Sequence, residues 1–97
     1  MSYKIIVSPL AKEQTTKFYY YYNKISNKVA KKFRDEVKQT TKGLRTNPFY
    51  QIRTKKYRAI PLKNFPFLLF FEVDESTKTI KIIALFNTHQ DPEKYPQ

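Results

Sequence analysis

The spacing of apolar positions changes near the middle of the chain, from a helical period to an alternating one. Lys4-Ile5-Ile6-Val7 is a short β-branched run and predicts a strand. Ser8-Pro9 then opens a helix, with Ser8 placed to cap it and Pro9 in the first turn, where a missing N–H costs nothing. Leu10, Ala11, Phe18, Tyr22 and Ile25 fall on one face of that helix. Asn23 to Asn27 breaks the pattern, and Ser26 is placed to cap a second helix. Its stripe is Val29, Ala30, Phe33, Val37, Thr40 and Leu44. Asn47-Pro48 stops it, because proline cannot continue a helix and pushes the residue before it towards extended backbone. Two antiparallel helices joined by a short turn is the economical arrangement.

After a connection near residues 47–54 the period becomes two. Lys55 to Leu62 predicts a strand that ends at Pro61 or lies at a sheet edge. Phe67 to Val73 and Thr79 to Phe86 are the strongest strands, with Asp74-Glu75-Ser76-Thr77-Lys78 turning between them. Placing Asp74 opposite Thr79 pairs Val73 with Ile80, Glu72 with Lys81, and Phe67 with Phe86. One face is then Phe67, Leu69, Phe71, Val73, Ile80, Ile82, Ala84 and Phe86, all apolar, and is expected beneath the helices. The other carries Leu68, Phe70, Ile83 and Leu85, although a sheet covered on one side should be polar on the other. Either the tail from Thr88 to Gln97 folds back over this second face, or a partner segment binds there. The fold class is α+β: strand, helix, helix, then three antiparallel strands, with the helical hairpin on one face.

The length of 97 residues allows a single domain, residues 1–97, ending in a tail over 88–97. No cysteine and a single histidine exclude a disulfide scaffold, a thiol enzyme and a zinc finger, so no metal site is expected. One glycine in the whole chain excludes the glycine-rich loops that cradle nucleotide phosphates, and no cofactor is expected. The first residues have too short an apolar run for a signal peptide, and nothing approaches the roughly 18 apolar residues of a membrane span. A soluble, cytoplasmic protein is the expectation.

The net charge of +11 is unevenly spread. Residues 47–65 hold Arg53, Lys55, Lys56, Arg58 and Lys63 with no acid, whereas residues 66–97 are slightly acidic. A small domain with this excess repels itself and seeks a polyanion or an acidic protein partner. Metal-independent RNA cleavage would need a group to exchange a proton and cations to hold phosphate. His89 is the only side chain whose ordinary pKa suits the first task. Arg53, Lys55, Lys56, Arg58 and Lys63 could serve the second, Arg58 with the forked donor that lysine lacks. Tyr95 could stack on a base or donate a proton. The plain alternatives are a solvated His89, an Arg58 packed across the sheet, and a Tyr95 in an unstructured terminus.

The element order on a basic chain of this length resembles the RelE/ParE superfamily of bacterial toxins. The most specific stretch is Tyr57-Arg58-Ala-Ile-Pro61-Leu-Lys63-Asn-Phe65-Pro66-Phe67, continuing through Phe71-Glu-Val-Asp74, which resembles that of plasmid-stabilisation toxins. Ala11 with Phe18 to Tyr22, Leu44-x-x-Asn47-Pro48, and Asp91-Pro92 resemble other parts of the family pattern. The resemblance implies a growth-inhibiting toxin of a type II toxin–antitoxin module, neutralised by a small, often acidic antitoxin. Such a partner would account for both the charge and the second apolar face, with Leu68, Phe70, Ile83 and Leu85 as its contacts.

Within the superfamily, RelE-like members cleave mRNA in the ribosomal A site, and ParE-like members inhibit DNA gyrase without cutting nucleic acid. Many relatives read His-x-Arg-Arg-Asp-Pro after the last strand, but this chain reads Asn87-Thr88-His89-Gln90-Asp91-Pro92 and lacks both arginines. Their loss favours the gyrase-directed reading. The alternatives are a ribosome-dependent endoribonuclease, for which His89, Arg58 and Tyr95 would be the catalytic set, and a non-toxic basic nucleic-acid-binding module. The last is weakened because aromatic stacking positions are not interleaved with the basic ones as single-strand binders usually arrange them. Of Tyr19-Tyr20-Tyr21-Tyr22, only part can reach the core. Tyr22 belongs inside with Phe18, and the others either pack with a wet hydroxyl or form a contact surface for target or antitoxin.

Overall fold

Ser8 ends the first strand and starts the first helix. In the computed structural model, which describes residues 3–49, the backbone of 52–54, and residues 57–89, its side chain accepts a hydrogen bond from the Ala11 N–H at 3.1 Å. The elements in chain order are β1 (Lys4–Val7), α1 (Pro9–Ile25), α2 (Asn27–Gly43), β2 (Ile52–Thr54), β3 (Tyr57–Pro61), β4 (Phe67–Asp74) and β5 (Thr79–Asn87). Ser26 closes α1, its N–H bonding the Tyr22 carbonyl, and caps α2 by accepting from the Val29 N–H at 3.3 Å. One residue therefore makes the whole corner between the helices. α2 ends at Gly43, ahead of Asn47-Pro48, and Pro48 is buried.

The strands form one sheet in the order β1-β5-β4-β3-β2, with β1 parallel to β5 and the other pairs antiparallel. β2 is an addition to the predicted elements, a short strand on the far side of β3 within the expected connection. Among the described residues it pairs with β3 only as far as Arg58, three positions short of Pro61 at the strand's end.

The β4–β5 register agrees with the sequence expectation near the turn, where Asp74 faces Thr79, Val73 faces Ile80 and Glu72 faces Lys81. It departs beyond Ile82. Phe71 pairs with Ile82 but Phe70 pairs with Ala84, so Ile83 is an extra residue on β5, and Phe67 faces Asn87 instead of Phe86. Since side chains alternate, one inserted residue exchanges the faces of everything after it. Leu85 turns into the core beneath the helices, while Phe86 joins Ala59, Leu68 and Phe70 on the other face.

The helix-side core centres on Phe33, which is fully buried. Its ring lies 5.3 Å from Tyr22, 5.3 Å from Phe65 and 5.5 Å from Phe67. Phe18 adds a tilted contact with Phe67 at 4.6 Å. Leu10 and Ile25, expected on the inner face of α1, are 51% and 69% exposed. The buried stripe is centred on Ala11, Phe18 and Tyr22, so Leu10 is turned about 100° out of it, and Ile25 is the last residue of the helix. Among the described residues, no helix is long and apolar enough to cross a membrane.

Candidate functional site

The two helices do not seal the sheet along its β1 margin. A cleft of about 560 Å³ opens there between α1, α2 and the strands. Its apolar lining comes from Ile5 and Val7 on β1, Ala11 on α1, Val37 on α2, Leu69 on β4 and Ile82 on β5. Each position follows from local periodicity. Ile5 and Val7 are alternate residues of a strand, and Val37 shares a helical face with Thr41. Thr15 donates its hydroxyl to the Ala11 carbonyl at 2.8 Å, which leaves its methyl to the cleft.

The rim has one sign of charge. Lys12 on α1, Lys38 and Lys42 on α2, and Arg45 just past α2 all line the cleft, and among the described residues no Asp or Glu does. Lys38, Lys42 and Arg45 are spaced by four and three residues, which sets them along one side of α2. The Arg45 Nε donates to the Tyr3 carbonyl at 3.3 Å, and the Tyr3 N–H returns a bond to the Arg45 carbonyl at 3.0 Å, so the end of α2 is tied to the start of β1. β1 is an edge strand. The Lys4 N–H bonds the Lys78 carbonyl just ahead of β5 and the Ser8 N–H bonds Ile82 on it, so those of Ile5 and Val7 turn away from β5. Among the described residues its lining includes no imidazole, thiol or carboxylate, and an apolar stripe with acidic flanks would match both floor and rim.

This cleft escaped the sequence reading. Its signal was the Lys38-Lys42-Arg45 row beside Val37, together with the alternation of Ile5 and Val7. No local pattern announces that these segments meet.

The candidates named from the sequence are scattered. Arg58 is half-buried on β3, paired with Phe71, and its guanidinium stands over the Phe49 ring at 5.6 Å. His89 is exposed beyond β5, where its backbone N–H donates to Asn87 Oδ1 at 2.8 Å. The row of Arg58 crosses β4 at Phe71, and Asn87 crosses it at Phe67, four residues along. That offset is about 13 Å, and His89 is two residues further on, so strand geometry does not bring the two together. Lys63 is exposed beside Glu36 and Gln39 of α2. Arg53 belongs to β2, where only the backbone is described, and Lys55, Lys56 and Tyr95 lie outside the described residues.

Of the four residues expected to meet an antitoxin, Leu68, Phe70 and Leu85 are 6%, 0% and 1% exposed. Leu85 faces the helices because of the extra residue at Ile83. Leu68 and Phe70 pack with Ala59 and Phe86, the Phe70 and Phe86 rings meeting edge to face at 6.3 Å. Only Ile83 of the four keeps appreciable surface. The tail offered as a cover for this face lies, from residue 90 on, outside the described residues. In the tyrosine run, Tyr19 and Tyr22 are partly buried, whereas Tyr20 and Tyr21 are 60% and 58% exposed. Burial raises the pKa of the Tyr22 phenol, with a smaller contribution from neighbouring Tyr21.

A family model described as the ParE toxin of the type II toxin–antitoxin system parDE matches residues 5–92. Among solved structures, one titled as the chromosomal ParDE toxin–antitoxin system from P. aeruginosa is 19% identical, with a TM-score of 0.76 over 89% of this chain and 96% of that one. At that identity the likeness is one of fold. No curated protein matches the chain.

Proposed function

The chain belongs to the family of ParE toxins of type II toxin–antitoxin systems, and from that premise we propose that it inhibits growth by acting on DNA gyrase and is neutralised by an antitoxin seated in the cleft between its helices and β1. The observation that carries the neutralisation is the pairing of an apolar floor with four cations and, among the described residues, no acid at the rim. An amphipathic segment of a small acidic antitoxin fits it, the apolar side burying against Val37, Leu69 and Ile82 and the carboxylates facing Lys12, Lys38, Lys42 and Arg45. The buried state of Leu68, Phe70 and Leu85 moves the proposed contact from the second sheet face to this cleft.

The preference for gyrase over the ribosome rests on the absent arginines after β5 and on the separation of Arg58 from His89 along the sheet. Proton exchange and phosphate stabilisation must act on one phosphodiester, and residues this far apart do not converge on it.

The test is gyrase supercoiling of relaxed plasmid with the purified chain, alone and with its antitoxin, beside primer-extension mapping of a reporter mRNA in a purified translation reaction. Inhibited supercoiling that the antitoxin restores, with intact mRNA, is the expected result. New cuts at ribosome-occupied codons with unaffected supercoiling would overturn it in favour of an endoribonuclease.

A further inference from the structure

The outer face of α1 combines charge and aromatic surface in a way the linear sequence conceals. Lys17, Tyr20, Tyr21 and Lys24 are spaced by three, one and three residues. On a helix these are positions i, i+3, i+4 and i+7, so the four side chains share one stripe about 10 Å long. All four are exposed, the tyrosines at 60% and 58%. The stripe points away from the sheet and lies off the cleft, whose α1 lining is Ala11, Lys12, Thr15 and Thr16.

The two exposed rings are also braced. Tyr20 meets Tyr19 edge to face at 5.6 Å, and Tyr21 meets Tyr22 in the same manner at 5.3 Å. Tyr19 and Tyr22 are themselves packed against the core. Two aromatic rings are thus held at the surface at little further entropic cost, between two ammonium groups with no acid among them. The basic excess continues onto α2 through Lys28, Lys31 and Lys32, all exposed.

We infer that this stripe of α1 binds single-stranded nucleic acid, with Tyr20 and Tyr21 stacking on unpaired bases and Lys17 and Lys24 holding the flanking phosphates. Charge and ring chemistry together select this occupant. Lysines alone would take any polyanion, and rings alone would take any apolar surface. The alternation of the two matches a strand that presents a base face and a phosphate at every step. The inference does not rest on the proposed target, since the stripe and the cleft are different surfaces.

Fluorescence anisotropy tests it, using the full chain and a labelled oligothymidylate of about 15 nucleotides. Binding that weakens about thirtyfold in the Tyr20→Ala/Tyr21→Ala variant, with its salt dependence unchanged, is the expected result. The Lys17→Ala/Lys24→Ala variant should lower the slope of log affinity against log salt by about 1.4. A Tyr20→Phe/Tyr21→Phe variant should bind like the parent, because stacking needs the ring and not the hydroxyl. These are exposed positions, and thermal melts of each variant check that folding is intact. Equal binding by the parent and the alanine pair would overturn the inference, as would equal affinity for a blunt duplex of the same length. Preference for polyglutamate over the oligonucleotide would overturn it too, by assigning the stripe to an acidic protein.

Discussion

The Ser8 hydroxyl donates to the carbonyl of Ile83 at 2.9 Å, across 75 positions of sequence, while accepting the Ala11 N–H. One side chain therefore caps α1 and closes the margin of β5 at the point where β1 has run out. β1 has four residues and β5 nine, and their pairing stops at Val7 with Ile82. Beyond that row the outward backbone groups of β5 need other partners. α1 and its cap supply them, Ser8 donating to the Ile83 carbonyl and Gln14 Oε1 accepting the Leu85 N–H at 2.8 Å.

Ser8→Ala removes a helix cap and a sheet-edge partner together. A cap is worth about 1 kcal/mol, and an abandoned carbonyl at a buried site costs about 1 to 3 kcal/mol, so a loss of about 2 to 4 kcal/mol in urea unfolding is expected. Ser8→Thr keeps the hydroxyl and should recover most of it. A loss no larger than the ~0.5 kcal/mol of an ordinary surface change would show that Ser8 does not carry both roles.

The extra residue at Ile83 makes a second prediction, about two neighbours that alternation alone would have ranked differently. Leu85 is 1% exposed among the helix-side core residues, while Ile83 is half-buried at the edge of the other cluster. Leu85→Ala is expected to cost about 2 to 5 kcal/mol, and Leu85→Lys to abolish the cooperative melt. Ile83→Lys should leave the melt cooperative. Equal sensitivity at the two positions would contradict the register.

What the sequence revealed was the local part of this. Ser8, Pro9 and Ser26 mark helix boundaries through their own backbone chemistry, and the turn half of the β4–β5 register follows from Asp74 to Lys78. The insertion at Ile83 had no such mark, because it arises where a short β1 meets a long β5 and α1 completes the edge. β2 is three residues long, too few to display alternation. The cleft draws on five segments distant in sequence, and Arg58 and His89 were recognisable as chemistry but not as places.

The β4–β5 turn is acid-sensitive by construction. Asp74 Oδ1 accepts from the Ser76 hydroxyl at 2.7 Å and the Ser76 N–H at 3.0 Å, and the Ser76 hydroxyl bond is the leading cause of its lowered pKa, which these bonds and those from Thr77 hold down against the opposing effect of burial. A carboxyl with a pKa depressed on folding contributes its full stability above its ordinary value of 3.8 and loses it as pH falls through the lower folded value. Unfolding midpoints of the parent and Asp74→Asn should therefore differ most at neutral pH and converge below that range. A constant difference between pH 7 and pH 2 would rule out the linkage.

Tyr3 gives the opposite sign. Its hydroxyl donates to Glu75 Oε1 at 2.5 Å, and that bond, with smaller contributions from burial and the Glu75 charge, raises the phenol pKa above 10.0. Stability from this contact is complete below pH 10 and declines as pH rises through the folded value. Tyr3→Phe should lower stability at neutral pH and flatten the alkaline limb. An alkaline limb identical to the parent's would show that another group is responsible.

The cleft separates electrostatic from apolar contributions to antitoxin binding, and kinetics can read them apart. Exposed charges at a rim act mainly on the encounter, whereas buried apolar contacts act mainly on residence time. Lys38→Glu/Lys42→Glu removes two of the four rim cations and installs two acids. Association with the antitoxin is expected to slow by about tenfold at low salt, with a flatter salt dependence. Val37→Ala removes part of the floor and should instead speed dissociation, leaving association nearly unchanged. Stopped-flow association and dissociation of the same antitoxin with each variant measures both effects. If both variants altered only dissociation, the cations would be bonded within the seat instead of standing at its rim. If neither changed either rate, the antitoxin would bind elsewhere.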